Sequence, residues 1–472
     1  MKQYLQHAKF EGRLLMVGCG SIGQAMLPLI LRHLDIAPAQ ISIIAADDKG
    51  EAIAREYGVA YELCPLTRDN FRTVLDSRLQ SGDFLLNLSV DVASLALIAL
   101  CHERGALYLD TCIEPWAGTY TDPALTPSQR SNYALREDVL AWGRAHPGGP
   151  TAVLTHGANP GLASAFVKQA LLNLAADAGL AHGKPASQAD WARLAQQLGV
   201  KVIHVAERDT QLTPRRKAKD EFVNTWSVDG FMAEGRQPAE LGWGTHERHW
   251  PQDAARHGYG SDAAIYLQRP GAATRVRSWT PLEGPYHGFL ITHGEAISIA
   301  DHLTLREGGA VHYRPTVHYA YYPCDDAVLS LHEAAGHHWQ LQTHQHILRE
   351  EITQGVDELG VLLLGHRRSA YWYGSRLSIR QARRLAPHNS ATSLQVVAGV
   401  LAGLVWALRH PQRGVVEPED LDHEQVLAIA RPYLGELVGV YSDWTPLKDR
   451  SRLFAEEVDA SDPWQFVNFR VA

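Results

Sequence analysis

Near the start of the chain, the apolar run Leu14-Leu15-Met16-Val17 leads into Gly18-Cys19-Gly20-Ser21-Ile22-Gly23, and a helical pattern follows from Gln24 to His33. This order of strand, glycine turn and helix constrains the fold more than any other feature. Gly18 allows the tight turn, Gly20 lets the backbone approach a diphosphate, and Gly23 lets the helix pack on the strand. The first helical N–H groups would then face the phosphates, and Ser21 and Ile22 in the turn are further candidates for the cofactor. A purely structural glycine turn is the alternative, but strand, helix and position together predict a nicotinamide or flavin dinucleotide site.

The next units extend the same pattern. Ile41 to Ile44 reads as a second strand, and Ala45-Ala46-Asp47-Asp48 follows it. An acid at this distance past the glycines binds the ribose hydroxyls of NAD and repels the 2′-phosphate of NADP. Either Asp47 or Asp48 can fill that role. Strands at Val59 to Leu63, Phe84 to Leu88 and Ala106 to Asp110 alternate with helices at Phe71 to Leu79 and Val92 to His102. Alternation of this kind predicts a doubly wound parallel sheet. Ligands bind at its carboxyl edge, where the chain places Asn87-Leu88-Ser89-Val90-Asp91 and Asp110-Thr111-Cys112-Ile113-Glu114. Asn87, Ser89, Asp110 and Thr111 are candidates for the cofactor, and Asp91 and Glu114 for a substrate beside it.

Gly148-Gly149-Pro150 interrupts the pattern. An apolar strand at Thr151 to Thr155 comes next, then the turn His156-Gly157-Ala158-Asn159-Pro160-Gly161 and a helix from Leu162 to Leu174. We read this as a hinge into a second domain, with Asn159 either near the nicotinamide or capping the helix. Ala189 to Tyr322 alternates apolar and polar residues between turn signals, as a mixed, largely antiparallel sheet does. Polar clusters within it could face a cleft: Glu207-Arg208-Asp209-Thr210, Trp226-Ser227-Val228-Asp229-Gly230, Glu234-Gly235 and Thr292-His293-Gly294-Glu295. Val356 to Leu364, which carries Asp357 near its start, and Ala370 to Ser375 read as further strands. The helix from Ala391 to Leu408 is apolar all round, so it should be buried against the first domain. The expected fold class is α/β: a Rossmann-type doubly wound parallel sheet over residues 1–151, completed by the buried helix near 385–410, and a larger α+β domain from 152–384 and 411–472.

Composition sets the outer limits. The 472 residues carry a formal charge of −8 and are 45% hydrophobic, which argues against nucleic acid or an anionic membrane as partner. The apolar stretch Val396 to Leu408 is short for a bilayer and holds two glycines. Cys19, Cys64, Cys101, Cys112 and Cys324 lack metal-ligand spacing and suggest reduced thiols in the cytosol. Leu331-His332-Glu333-Ala334-Ala335-Gly336-His337 resembles a zinc-protease helix, but that motif needs histidines four apart and here they are five apart. No metal is expected.

Many ordered blocks carry a family resemblance: GSIG at Gly20, NLSVD at Asn87, EPW at Glu114, GANPG at Gly157, AERDTQ at Ala206 and NTWSV at Asn224. ELGWGTHE at Glu240, SISIAD at Ser298, DELGVLL at Asp357, AYWYGS at Ala370 and DPWQF at Asp462 continue it almost to the C-terminus. The chain resembles the bacterial homospermidine synthases, relatives of the saccharopine dehydrogenase group. The resemblance implies an NAD-dependent condensation of two putrescines with loss of ammonia, in a cytoplasmic homodimer. It also implies that Asn159, Glu114, Glu207, Trp226, Glu234 and His293 belong to the active site. Such chemistry needs acids for diammonium chains and an aromatic face for an iminium. Asp91, Glu114, Glu207, Glu234 and Asp357 fit as ammonium partners, His293 as a proton carrier and Trp226 as the cation–π face. An amino-acid reductase of the saccharopine type would instead need paired Arg or Lys for carboxylates, and a non-catalytic NAD-sensing protein would need neither the acids nor Trp226.

Overall fold

The computed structural model describes residues 4–181 and 183–471. Leu14–Val17 is buried along its whole length, as a strand covered on both faces must be. It pairs in parallel with Ile41–Ala45 on one side and Phe84–Asn87 on the other. Ala60–Leu63 extends the first flank, and Leu107–Asp110, Ala152–Val153 and Val415–Val416 extend the second. Counted in chain order, the seven parallel strands run 3-2-1-4-5-6-7, the doubly wound arrangement. The order reverses between Leu14–Val17 and Phe84–Asn87, and the glycine turn sits at that crevice.

Two strands of this sheet differ from the expected division of the chain. Ala152–Val153 and Val415–Val416, both assigned to the second domain from sequence, are its sixth and seventh strands. Each is two residues long, too short to show a period of its own. The pause at Gly148-Gly149-Pro150 therefore leads into the sixth strand, which lies between Leu107–Asp110 and the edge strand Val415–Val416.

The second sheet has ten strands and is mixed, largely antiparallel, as expected. Val202–Asp209 lies at its centre, parallel to Thr316–Tyr322 and antiparallel to Val356–Leu364. Ala370–Ser378 and Glu436–Ser442 continue one side, and Pro238–Gly242, Ala264–Pro270 and Ala254–Arg256 the other. A separate parallel pair, Glu221–Asn224 with His344–Ile347, leads into Trp226 at one end and Leu348-Arg349 at the other.

The helix Ala391–Arg409 joins the two layers. It packs on the Rossmann helix Ser21–His33, on Leu107–Asp110 and on Ala370–Ser378. It is long and apolar enough to span a bilayer, but it is buried inside the protein. Its glycines allow close approach: a Cβ on Gly399 would lie 1.9 Å from the Gly157 carbonyl oxygen. The loop that carries Asn159 rests on the helix there.

Candidate active site

The glycine turn has the shape a dinucleotide requires. Gly18 has a φ of +89°, and a Cβ there would lie 2.7 Å from the Leu88 carbonyl oxygen. A Cβ on Gly23 would lie 2.9 Å from the Gly18 carbonyl oxygen, so helix and turn touch. At Gly20, by contrast, no described residue places an atom within 4 Å of a Cβ, which leaves room for a diphosphate. The helix begins at Ser21, and Ser21 Oγ is buried without a hydrogen-bond partner among the described residues. These features fit a dinucleotide. Asp47 lies exposed past Ile41–Ala45 and takes an N–H bond of 3.0 Å from Lys49. Asp48 is exposed beside it.

Other expected cofactor residues are committed within the protein. Asn87 Oδ1 accepts from Ser89 Oγ at 2.6 Å, and Asn87 Nδ2 donates to Tyr108 Oη at 3.2 Å. Asp110 is fully buried; it accepts from Tyr108 Oη at 2.8 Å and from the Thr155 N–H at 2.6 Å. Burial raises its carboxyl to about 6 despite those bonds. These bonds fix Asn87 and Asp110 at the sheet edge, where the expected cofactor contacts would be made. Thr111, next in the chain, is half-buried at the mouth of that edge.

Beyond the edge, the second sheet presents a buried acidic group. Residues two apart on a strand share a face, so Glu207 and Asp209 point the same way. Strand register sets Tyr321 and Leu359 beside Glu207, and Asp357 beside Asp209. Glu207 Oε2 accepts from Asn159 Nδ2 at 2.6 Å and from the Tyr319 hydroxyl. Asn159 therefore reaches across to Glu207. The cap reading fails, because the following helix is capped by Gly161 with no side-chain bond. Burial raises Glu207 to about 7, although both donors favour its charged form. Asp209 is held by Thr225 Oγ1 at 2.8 Å and by the Gln211 N–H at 2.8 Å. Asp357 accepts from the Thr392 hydroxyl, while its Oδ1 has no partner among the described residues. Burial, then Glu207 and Asp209, push Asp357 well above the usual carboxylate range.

A second acidic group faces the first. His293 lies between two carboxylates, with Nε2 3.1 Å from Glu234 Oε2 and Nδ1 3.2 Å from Glu295 Oε1. Burial alone would lower its pKa, but Glu295 and Glu234 together raise it well above the ordinary value. Glu114, from the Rossmann sheet edge, is buried and raised to about 8, first by burial and then by repulsion from Glu234 and Asp91. The Asp91 N–H approaches Glu114 Oε2 at 3.4 Å, and Asp91 itself is exposed at a φ of +63°. Burial and Asp229 raise its carboxyl as well.

An aromatic shelf connects the two groups. Trp226 follows Glu221–Asn224 and is half-buried; its Nε1 donates to Tyr321 Oη at 3.0 Å. Tyr321 stacks on Tyr319 with centroids 5.2 Å apart and planes at 7°. Tyr319 in turn lies 4.3 Å from the His293 ring. Tyr319 and Tyr321 were absent from the candidates, and Asp209 and Glu295 lay in the named polar clusters without a role of their own. The tyrosines sit in a fully apolar-looking strand, where only their two-residue spacing marks a shared face.

Arg208, the one cation among the candidate motifs, alternates to the opposite face and lies 3.7 Å over the Tyr322 ring. In the zinc-like helix, His332 Nε2 meets Arg275 Nη2 at 3.1 Å.

The saccharopine dehydrogenase NADP binding domain model matches residues 14–153, and the saccharopine dehydrogenase C-terminal domain model matches residues 157–442. A homospermidine synthase from Blastochloris viridis is 54% identical, with 100% of each chain covered. One from Mesorhizobium japonicum is 50% identical over 98% of this chain and 97% of its own. The crystal structure of a homospermidine synthase from Legionella pneumophila in complex with NAD has a TM-score of 0.93 and 51% identity, with both chains covered fully.

Proposed function

The chain belongs to the homospermidine synthase family, so its activity is the NAD-dependent synthesis of homospermidine, and we propose that it condenses two putrescines with release of one ammonia. One observation supports this mechanism above others: two groups of buried carboxylates, Glu207 with Asp209 and Asp357, and Glu234 with Glu295 around His293, meet on either side of Tyr319, from which an aromatic shelf runs through Tyr321 to Trp226. A diamine carries one cation at each end of an apolar chain, and the site matches that pattern.

Glu207, with Asp209 and Asp357 behind it, holds the inner nitrogen. Glu114 and Glu234 hold the outer ammonium, and Asp91 stands at the opening. Buried carboxylates in excess of the one cation among them, His293 beside Glu234 and Glu295, favour a bound ammonium over water. NAD, when bound, accepts a hydride from the carbon next to one amine and returns it to the final imine. Glu207, near neutrality in its pKa, accepts the proton that the reacting amine gives up. The resulting iminium lies against Trp226, whose face stabilises a cation. A second, neutral amine adds to the iminium carbon. His293, protonated between Glu234 and Glu295, donates a proton to the departing nitrogen, which leaves as ammonia. Separating the two pKa values assigns the acid and the base. The new imine is then reduced, and two diamines have become one triamine plus ammonia.

Asp47 beside the glycine turn supports NAD over NADP, since a 2′-phosphate would meet a carboxylate there. The saccharopine-type reading loses its support because Arg208 points away from the acids. Five unpaired cysteines fit a cytosolic setting, and a homodimer is carried over from the family resemblance. Incubating the purified protein with putrescine and NAD tests the reading. Homospermidine and ammonia should appear in equal amounts, and their absence would refute it.

A further inference from the structure

Beside the glycine turn, residues of the two domains line a cavity of about 140 Å³. Ser21 and Gln24 line it from the Rossmann helix, and Thr225, Arg349, Asn389 and Ser393 from the other side. Arg349 Nη1 donates to Gln24 Oε1 at 2.8 Å. Gln24 Nε2 in turn donates at 3.0 Å to the Cys19 carbonyl, inside the glycine turn. The Arg349 backbone is fixed as well: its N–H donates to Glu351 Oε2 at 2.9 Å, and its carbonyl accepts from Arg383 Nη2 at 2.9 Å. Among the described residues no carboxylate forms an ion pair with the Arg349 guanidinium. The Arg349 guanidinium therefore stands across this cavity from a helix N-terminus and the unpartnered Ser21 hydroxyl, while Glu350 on the same lining pairs with Arg383. Three positive or donating groups that converge in this way call for an anion between them.

We propose that Arg349 is the residue by which the second domain closes over the diphosphate of the dinucleotide. This deepens the proposed function, because the reaction needs the reduced cofactor to stay bound until the hydride is returned. A Rossmann domain alone grips a dinucleotide from one side. A cation from the other domain makes release depend on the two layers parting, and Arg349 is tied to the glycine turn through a single amide, Gln24.

Binding measurements test this without reference to turnover. Arg349 is exposed, so Arg349→Gln should melt like the wild type. Calorimetry with NAD, ADP and adenosine then separates the contributions. The variant should bind NAD and ADP about ten- to a hundredfold more weakly, the range of one charge-assisted bond, and adenosine within about twofold of the wild type. Stopped-flow release of NADH should quicken by a similar factor. Arg349→Lys should keep part of the affinity as a point charge. NAD and ADP binding unchanged in Arg349→Gln would overturn the proposal, as would adenosine weakened as much as ADP. Either failure leaves homospermidine formation untouched, so it is distinguishable from failure of the proposed function.

Discussion

Tyr319→Phe isolates one hydrogen bond of the proposed site. The variant keeps the ring that stacks on Tyr321 at 5.2 Å and touches His293 at 4.3 Å. It removes only the hydroxyl that donates to Glu207 Oε2, leaving Asn159 as the other donor at 2.6 Å. A hydrogen bond to a charged group is worth about 1.5–3 kcal/mol, and one pH unit of titration corresponds to about 1.36 kcal/mol. Glu207 stands at about 7 in the intact site. Losing a donor to the charged form makes that form harder to reach, so the titration moves upward by roughly one to two pH units. At pH 7.5 the ionised fraction falls from about three quarters to between about a quarter and a few per cent, a loss of roughly three- to twentyfivefold. By pH 9 most of that loss should be recovered. The assay is kcat/KM for putrescine across pH 6 to 9.5 at saturating NAD, which reports groups in the form that meets substrate. An acid limb displaced upward supports the role of Tyr319. An equal loss at every pH, with the limb unmoved, would refute the reasoning.

Trp226→Phe keeps a ring face, and Trp226→Leu keeps bulk alone. If Trp226 faces the iminium, Leu should lose about thirtyfold in turnover, from a contact of about 2 kcal/mol, and Phe should lose less. Melting curves serve as the control, since a core role would cost stability in both. Glu114 and Glu207 stand at about 8 and about 7, so at pH 7 they are largely and about half protonated. An ammonium favours the charged forms, so putrescine binding should release roughly one proton and tighten as pH rises from 6 to 8. Titration calorimetry in two buffers of different ionisation enthalpy reads the release, and heats independent of buffer would contradict it. Asp47→Asn should narrow the preference for NAD over NADP in parallel assays; an unchanged ratio would assign the ribose to Asp48 or to neither.

The sequence made the Rossmann half legible because its signals are local. The glycines, the acids past Ile41–Ala45 and the alternating apolar runs each sit beside the residues they act on. The sixth strand was legible as an apolar run but was given to the second domain, and the seventh was hidden because Val415–Val416 is two residues long and arrives from the far end of the chain. At Asp110 the sequence shows that an acid ends a strand, but not that Tyr108 and Thr155 hold it in place. Within the site, Glu114 was a candidate by its place at the sheet edge, while Glu207, Glu234, His293 and Trp226 were unremarkable singly and became candidates through the motifs that carry the family resemblance. Tyr319 and Tyr321 did not, because Thr316–Tyr322 is buried almost throughout, and only the register with Val202–Asp209 shows which side chains meet Glu207. Arg349 was invisible for a related reason: its partner Gln24 is more than three hundred residues away.

The central claim is that one bound cofactor both removes and returns the same hydride. Putrescine deuterated at both carbons that bear nitrogen, with a trace of NAD and an excess of unlabelled NADH in solution, tests it directly. If the hydride stays in the site, homospermidine forms with deuterium retained at every labelled carbon, and NADH does not accumulate. Loss of one deuterium at a carbon next to the central nitrogen would show that free NADH supplied the reduction. NADH accumulating in step with putrescine consumption, without homospermidine, would show a simple amine dehydrogenase and contradict the account.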